Sequence, residues 1–199
     1  MRRADGSKIN PSIDLSQLVP AEKEHYLHLK KQERQCYIAP SAIGGKGLYI
    51  MEEVSKGGIV IEYTGRRFEG DEFQKEEKKD VSKYSDEEYL ITTDNGSTVI
   101  DASVQNASKA KYANHSCSPN CEFVTNSFTN KEGIVVETVF IQALREIYLF
   151  EEILFDYNMK VDVKEAGIPC RCRSPNCKGV LGTVRNLRES GRKQQRTKN

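Results

Sequence analysis

Hydrophobic residues in this chain occur mostly in short runs separated by glycines, and one segment near the start has a helical pattern. Residues 21–35 follow Pro20, with acidic residues early, basic residues late and no glycine, as is typical of a helix. From Cys36 to Gly65, runs rich in β-branched and aromatic residues alternate with turn signals, which predicts strands. Strand-like runs return as YLITT, STVIDA, GIVVETVFIQAL and EILFDY. The pattern therefore predicts a β-rich fold with few helices.

Two segments differ from this pattern. Residues 68–88 are highly charged and helical in pattern, so we predict a helical insert whose charges lie on a solvated face. Residues 183–199 are polar, basic and poor in apolar side chains, so they cannot bury enough surface to order themselves. We predict a flexible basic tail, and the alternative is a weak, salt-sensitive contact with DNA.

The composition is that of a single globular domain. The chain has 199 residues, of which 37% are hydrophobic and 30% charged, enough to bury one core. Its 30 Lys and Arg against 29 Asp and Glu give a net charge of +1, so charge alone does not attract it to nucleic acid or an anionic membrane. The sequence has no apolar run of about 18 residues, and its start lacks the apolar core of a signal peptide. We expect neither secretion nor a membrane partner.

Three of the six cysteines lie close together. Cys170, Cys172 and Cys177 have a C-x-C-x4-C spacing, flanked by proline and glycine that turn the chain. In a reducing compartment such a group of thiolates is typical of a metal site, and zinc in a structural site takes four Cys or His ligands. The spacing leaves the fourth ligand open among Cys36, Cys117 and Cys121.

The chain resembles SET-domain protein lysine methyltransferases that carry a post-SET zinc motif. NHSCSPN at residues 114–120 matches the NHxCxPN signature of that family. GKGLY at 45–49, EYTG at 62–65 and FDY at 155–157 occur in the order that the family requires, and the cysteine motif falls where the family places its post-SET ligands. The resemblance extends over roughly residues 36–182.

The resemblance implies the SET-domain (β-clip) fold, built of small curled sheets. In that family the segment carrying FDY threads through a preceding loop in a knot-like arrangement. The implied domain organisation is an N-terminal extension with the helix (1–35), a SET domain (36–160), a post-SET zinc segment (161–182) and the basic tail (183–199).

By resemblance, the protein uses S-adenosylmethionine as cofactor and zinc as a structural metal. Glycine permits a close backbone approach to a ligand, and asparagine and histidine offer polar partners. The family uses the cysteine of NHxC as its fourth zinc ligand, which implies a site formed by Cys117, Cys170, Cys172 and Cys177. The implied cofactor-binding residues are Gly44, Gly45, Lys46, Gly47, Tyr89, Lys111, Tyr112, Asn114, His115 and Arg171.

Methyl transfer from a sulfonium to an amine requires alignment of the reacting atoms and removal of water. By resemblance, Tyr157 is the catalytic tyrosine with its hydroxyl beside the methyl group, and Tyr89 and Ile91 line the channel that admits the lysine. Phe155 occupies a position where the family carries Phe or Tyr. Because Phe leaves more room in the channel, we expect di- or trimethylation.

Four residues depart from the family pattern, and they bear on cofactor affinity more than on the fold. Lys111 stands where arginine is common, Gly44 where histidine is frequent, Arg66 where glutamate is usual and Phe150 where glycine precedes the glutamate pair. The main alternative is therefore a catalytically silent SET-like module that binds histones or acts as a scaffold. A zinc-binding nucleic-acid module is the second alternative, which the balanced charge disfavours.

The substrate class follows from a further resemblance. YLHLKKQERQ before the domain and REIYLFEEILFDYN at its end resemble the trithorax group, which methylates a lysine near the start of histone H3. This resemblance implies a nuclear protein whose partners are the histone H3 tail or nucleosome and activating complex subunits.

Overall fold

The computed structural model describes residues 12–77, 89–94, 96–158, 160–162, 168–181 and 183–185. The helices are α1 (Pro20–Gln32), α2 (Glu72–Glu77) and a short 3-10 helix (Lys109–Tyr112). The strands are β1 (Cys36–Pro40), β2 (Lys46–Ile50), β3 (Ile59–Tyr63), β4 (Arg66–Glu69), β5 (Leu90–Thr92), β6 (Thr98–Asp101), β7 (Asn114–His115), β8 (Cys121–Thr129), β9 (Val135–Ala143), β10 (Leu154–Phe155), β11 (Lys160–Asp162) and β12 (Thr183–Arg185). The predicted β-rich fold with few helices is confirmed.

Helix α1 has the predicted start but ends three residues before the predicted end. Pro20 occupies its first turn, where the N–H that proline lacks has no partner within the helix. The helix ends at Gln32 and not at Gln35. It ends there because Glu33 turns inward, and its Oε1 accepts a hydrogen bond of 2.9 Å from the N–H of Glu62 in β3.

The main sheet has the strand order β3-β9-β8-β10-β7. Strands β8 and β9 form a long hairpin, whose turn is closed by Asn130 Oδ1 accepting from the N–H groups of Glu132 and Ile134. Gly133 has a φ of 80° in this turn, a conformation that favours glycine. Strand β10 lies between β8 and β7 and pairs in parallel with both, so the main sheet brings the segments of residues 114–121 and 154–157 together.

The described residues also form three small sheets. They are the β1–β2 hairpin, the β4-β6-β5 sheet and the parallel β11–β12 pair. The structure differs from the predicted 68–88 helix at its start, because Phe68 and Glu69 belong to β4. Phe68 is buried there against Val99, which favours a strand over a solvated helix. Helix α2 follows, and residues 78–88 lie outside the described residues.

The first three residues of the predicted tail form a strand. Thr183–Arg185 form β12, which pairs with β11, and residues 186–199 lie outside the described residues. Within the described part of the chain, no helix has both the length and the apolar character needed to cross a membrane. The knot-like threading stays a prediction.

Candidate functional site

The NHSCSPN loop and the segment that contains FDY are fixed to each other by backbone pairing. Asn114 lies opposite Leu154 and His115 opposite Phe155, and the N–H of Ser116 donates to the carbonyl of Phe155 at 3.0 Å. The two short strands β7 and β10 therefore hold the side chains of residues 114–115 and 155–157 in one register.

Asn120 strengthens this connection with its side chain. It is 2% exposed, its Oδ1 accepts the N–H of Leu154 at 2.8 Å, and its Nδ2 donates to the carbonyl of Glu152 at 2.7 Å and to Glu151 Oε1 at 2.9 Å. A buried amide with its donors and acceptor satisfied rigidifies the segments that it joins. Asn120 therefore fixes the loop against β10.

His115 is buried and neutral in this arrangement. Its Nδ1 accepts a hydrogen bond of 3.1 Å from the N–H of Tyr157, which puts the ring proton on Nε2. Nε2 lies 3.3 Å from Cys117 Sγ. Burial lowers the pKa of His115, and the neighbouring Asp156 carboxylate only partly opposes this effect. His115 thus connects the backbone of Tyr157 to the sulfur of Cys117.

Four aromatic residues form a continuous aromatic group beside the loop: Tyr63, Phe123, Phe155 and Tyr157. The ring centroids of Phe155 and Tyr157 are 4.7 Å apart, those of Phe123 and Phe155 are 4.2 Å apart, and those of Tyr63 and Phe123 are 5.5 Å apart. The hydroxyl of Tyr157 donates to the carbonyl of Ala113 at 3.2 Å. The tyrosine hydroxyl therefore lies at the start of the NHSCSPN loop.

Tyr89 and Ile91 pack against the same core as Tyr157, and both are half-buried. The carbonyl of Tyr89 accepts hydrogen bonds of 3.0 Å from the hydroxyl of Tyr63 and from the N–H of Ala102. Because these donors come from β3 and from the residue after β6, the position of Tyr89 depends on the core and not only on the adjacent strand β5.

The GKGLY segment meets the loop through Asn114. Asn114 Nδ2 donates to the carbonyl of Lys46 at 3.0 Å and to Glu152 Oε1 at 2.8 Å. A Cβ on Gly47 would collide with that same Glu152 carboxylate, so a side chain there would displace Glu152 from Asn114. Gly44 and Gly45 lie in an exposed turn with φ values of 146° and 59°, and a Cβ on either would meet open space. This turn can accept a close approach by a ligand.

Two lysines and an aromatic ring lie next to this turn. The Nζ atoms of Lys46 and Lys111 are each 5.6 Å from the ring centroid of Tyr112. Lys111 Nζ also lies 5.7 Å from the centroid of Tyr89 and donates to the carbonyl of Ala102 at 3.0 Å. Positive charge is thus concentrated between the glycine turn and Tyr89.

The four cysteines of the predicted zinc site come together, and we refer to Cys117, Cys170, Cys172 and Cys177 as the cysteine cluster. Their sulfur atoms all lie within 4.8 Å of one another. The sulfurs of Cys117 and Cys170 are 3.8 Å apart, which matches the spacing of about 3.8 Å that tetrahedral Zn–S bonds of about 2.3 Å impose. The donor set and its spacing therefore fit a zinc ion.

Local hydrogen bonds favour the thiolate form of one cysteine of this cluster, Cys172. Burial raises the pKa of Cys172, but hydrogen bonds from the backbone N–H of Cys117 and from Ser174 outweigh burial and lower it to about 5. Burial and the neighbouring thiols raise the pKa of Cys170 to about 12. Cys36 and Cys121 lie instead in the hydrophobic core, where burial raises the pKa of each to about 12.

The cysteine-rich segment is attached directly to the FDY segment. Lys178 donates from its backbone N–H to Cys117 Sγ at 3.4 Å and from Nζ to Asp156 Oδ2 at 3.3 Å. The N–H of Asn158 and the ammonium group of Lys178 lower the pKa of Asp156 despite its partial burial. Arg171 lies between two cluster cysteines with an exposed side chain.

The structure brings most of the predicted site residues into one region, and it adds others. Tyr157, Phe155, Asn114, His115 and the cysteine cluster are joined by the contacts above. Asn120, Tyr63 and Glu152 lie inside sequence patterns of the family, which is the signal that could have found them, whereas nothing local in the sequence indicates Phe123. The contacts of these four residues depend on partners distant in the chain.

Comparison with known proteins identifies the family. The SET-domain family model matches residues 45–158. The chain is 32% identical over 183 residues to a "Histone-lysine N-methyltransferase, H3 lysine-4 specific" of Schizosaccharomyces pombe, covering 91% of this chain and 19% of that protein. A protein of the same name from Saccharomyces cerevisiae is 34% identical over 77% of this chain and 14% of its own length. The chain thus spans less than a fifth of the length of these relatives.

Proposed function

Because this chain belongs to the SET-domain family, we propose that it is an S-adenosylmethionine-dependent protein lysine N-methyltransferase that acts on histone H3. The names of its relatives support the reaction and the substrate. The observation that carries the proposal is the position of the Tyr157 hydroxyl, 3.2 Å from the Ala113 carbonyl at the start of the NHSCSPN loop and within the aromatic group.

S-adenosylmethionine supplies an electrophilic methyl group on a sulfonium. With the cofactor bound, a lysine nitrogen would take this methyl group while the carbon–sulfur bond breaks and its electron pair stays on sulfur, so the amine would have to arrive without its proton. The catalytic residues of the proposal are Tyr157, Tyr89, Phe155 and Ile91, which enclose the lysine stem in apolar and aromatic surface. This enclosure excludes water and lowers the pKa of the lysine amine, and the Tyr157 hydroxyl orients the reacting atoms.

The cofactor site of the proposal extends from the glycine turn to the loop. Gly44, Gly45 and Gly47 allow a close approach, and Asn114 and His115 hold the loop beside it. The ammonium groups of Lys46 and Lys111, close to Tyr112, would attract the carboxylate of the cofactor. Tyr89 and Arg171 complete the proposed cofactor-binding set.

The cysteine cluster is the proposed zinc site. With the metal bound, four thiolates would tie residues 170–177 to Cys117 and hold that segment against Asp156 and Tyr157. The role of the metal is then structural, because four protein ligands leave no open coordination position.

The setting proposed for this activity is chromatin in the nucleus, with the histone H3 tail or the nucleosome as substrate and with activating complex subunits as partners. The relatives' names support the histone substrate. The proposed weak DNA contact by the basic tail concerns residues that lie mostly outside the described part of the chain.

Replacing Tyr157 with phenylalanine is expected to reduce methyl transfer by about a hundredfold, as removal of one preorganised catalytic hydrogen-bond donor does. The measurement is transfer of a labelled methyl group from S-adenosylmethionine to an H3 peptide, with cofactor binding followed by calorimetry. Tyr148→Phe is the matched control, because Tyr148 is 57% exposed and lies away from the aromatic group.

The two measurements separate this proposal from its main alternative. Full activity in Tyr157→Phe would contradict the catalytic assignment. A wild-type chain that shows no heat of S-adenosylmethionine binding and no turnover would indicate a silent histone-binding module instead.

The degree of methylation is the second prediction at this site. Phe155 packs between Phe123 and Tyr157, so a hydroxyl added to its ring would extend the polar surface of the channel. We expect di- and trimethylated product from the wild type and mainly monomethylated product from Phe155→Tyr. Mass spectrometry of the H3 peptide after exhaustive turnover measures this ratio, and an unchanged ratio would contradict the role given to Phe155.

A further inference from the structure

A groove of about 570 Å³ lies along α1 and the segment that precedes it. Its apolar surface comes from Leu15, Leu18, Pro20 and Leu27. Its volume lies within the range of about 300–1,000 Å³ in which proteins bind ligands and peptide side chains. We refer to this feature as the α1 groove.

The helix spacing explains why α1 has two occupied faces. Tyr26 and Lys30, four residues apart, are buried toward β3. Lys23, Leu27 and Lys31 are also four residues apart and form a second stripe, which lines the groove. Leu27, at the centre of the second stripe, is partly buried against the core and also lines the groove, whereas Lys23 and Lys31 are exposed.

The far wall of the groove is fixed to the body of the protein. Leu18 forms a bridge with Asn130 in the β8–β9 turn, and the N–H of Lys131 donates to the carbonyl of Gln17 at 2.7 Å. The N–H of Val19 donates to the carbonyl of Thr129 at 3.4 Å. The groove is preorganised, which reduces the ordering cost of binding.

Charge around the groove is mainly positive. Lys23, Lys31 and Lys131 are exposed and line it, and no ion pair among the described residues involves any of the three. Glu24 is the acidic side chain of the lining, and the nearby Asp14 carboxylate accepts from the N–H of Ser16 at 2.8 Å. Lys131 also interacts electrostatically with the Asp14 carboxylate, so an occupant that carries carboxylates would find an excess of ammonium groups, chiefly those of Lys23 and Lys31.

We propose that the α1 groove is a docking site for a segment of a partner protein that combines leucine-like side chains with several carboxylates. The apolar floor takes the hydrophobic side chains, and the lysine rim attracts the acidic ones. The same lysines could attract the phosphates of DNA, but duplex DNA has no groups that would use the leucine floor. The combination of floor and rim favours an acidic amphipathic peptide.

The probe is a fluorescein-labelled twelve-residue peptide of alternating Leu-Leu and acidic pairs, titrated with the full chain in an anisotropy assay. Two matched peptides replace the acids with their amides or the leucines with serine. We expect each matched peptide to bind about tenfold more weakly, and we expect affinity of the acidic peptide to fall as salt rises.

Charge-reversal variants locate the binding. The double variant Lys31→Glu/Lys131→Glu is expected to lower the affinity for the acidic peptide by about tenfold or more. Lys56→Glu combined with Lys75→Glu changes the net charge by the same amount away from the groove and should leave binding unchanged. Leu27→Gln should weaken binding of the acidic peptide. It should leave the affinity of the peptide in which serine replaces leucine unchanged.

Three results would overturn the proposal: no binding of the acidic peptide, equal loss in the two charge-reversal pairs, or stronger binding of a short DNA duplex that requires Lys31 and Lys131. Methyl transfer to a free H3 peptide should be the same in Lys31→Glu/Lys131→Glu and in the wild type. Because that activity is measured separately, failure of the docking site and failure of the proposed enzymatic function give different results.

Discussion

Replacing Lys30 with methionine is expected to lower the free energy of unfolding by about 3–5 kcal/mol, the range for removing one partner of a buried ion pair. Lys30 is 4% exposed, and its Nζ lies 2.8 Å from Glu62 Oε2 and 2.6 Å from Glu33 Oε1. Methionine matches the length of the lysine stem but leaves two buried carboxylates without their cation.

The remaining hydrogen bonds do not compensate for that loss. Glu62 also accepts from the hydroxyl of Tyr26 at 3.0 Å and from the hydroxyl of Ser12. These neutral donors stabilise a carboxylate less than an ammonium group does. Burial raises the pKa of Glu62, and Lys30 is the main group that opposes this rise. Without Lys30, the Glu62 carboxyl is expected to be protonated in the folded state at a higher pH.

Urea unfolding followed by circular dichroism measures the effect. Lys31→Met is the matched control, because Lys31 is the next residue on α1 and is exposed; its stability should change by less than about 0.5 kcal/mol. Equal stabilities for the Lys30 and Lys31 variants would show that the buried ion pair contributes nothing to the fold. The same result would show that the contact of Lys30 in α1 with Glu62 in β3 does not stabilise the protein.

Removing the proposed zinc ion is expected to release the cysteine-rich segment without unfolding the β-rich core. The purified chain should contain about one zinc per molecule, and Cys172→Ser should contain little. In that variant, cleavage by trypsin after Arg171 and Arg173 should increase by about tenfold or more, since local opening exposes both bonds. The circular dichroism of the strands should change little, because the core clusters include no cluster cysteine.

Cys36→Ala is the control for this experiment. Cys36 is a buried thiol of the core and lies outside the cysteine cluster, so its loss should leave the zinc content unchanged. Atomic emission measures zinc, and mass spectrometry identifies the tryptic sites. Stoichiometric zinc in Cys172→Ser, with protected arginines, would contradict the assignment of the cluster as the metal site.

The sequence predicts the elements of this fold better than their connections. Helix α1 and the strands with β-branched runs follow from local patterns. Strand β8 was not predicted, because its sequence CEFVTNSFT places polar residues at its centre, and its pairing with β9 stabilises it. Lys30 belongs to a charged helix whose local pattern indicates exposure. It is buried because its partner Glu62 lies 32 residues further along the chain.

In the candidate site, too, the sequence predicts local motifs better than contacts between distant segments. C-x-C-x4-C indicates a metal by its spacing, but the spacing alone could not choose among Cys36, Cys117 and Cys121. The structure brings Cys117 to the other three sulfurs and buries Cys36 and Cys121 in the core.

The interactions of Glu152 with Asn114 and Tyr49 could not be inferred, because they depend on folding together segments 38 and 103 residues apart.

The long separation between Cys117 and its three companions has a consequence for the order of assembly during synthesis. Cys170 is 53 residues further along the chain than Cys117, and Cys177 is 60 further. The complete ligand set exists only after the ribosome has delivered nearly all of the β-rich domain, and loop closure is favourable only when that domain already holds Cys117 in position. If the cysteine cluster binds zinc as proposed, metal capture would be a late step, and an unfinished chain could not complete the proposed catalytic centre.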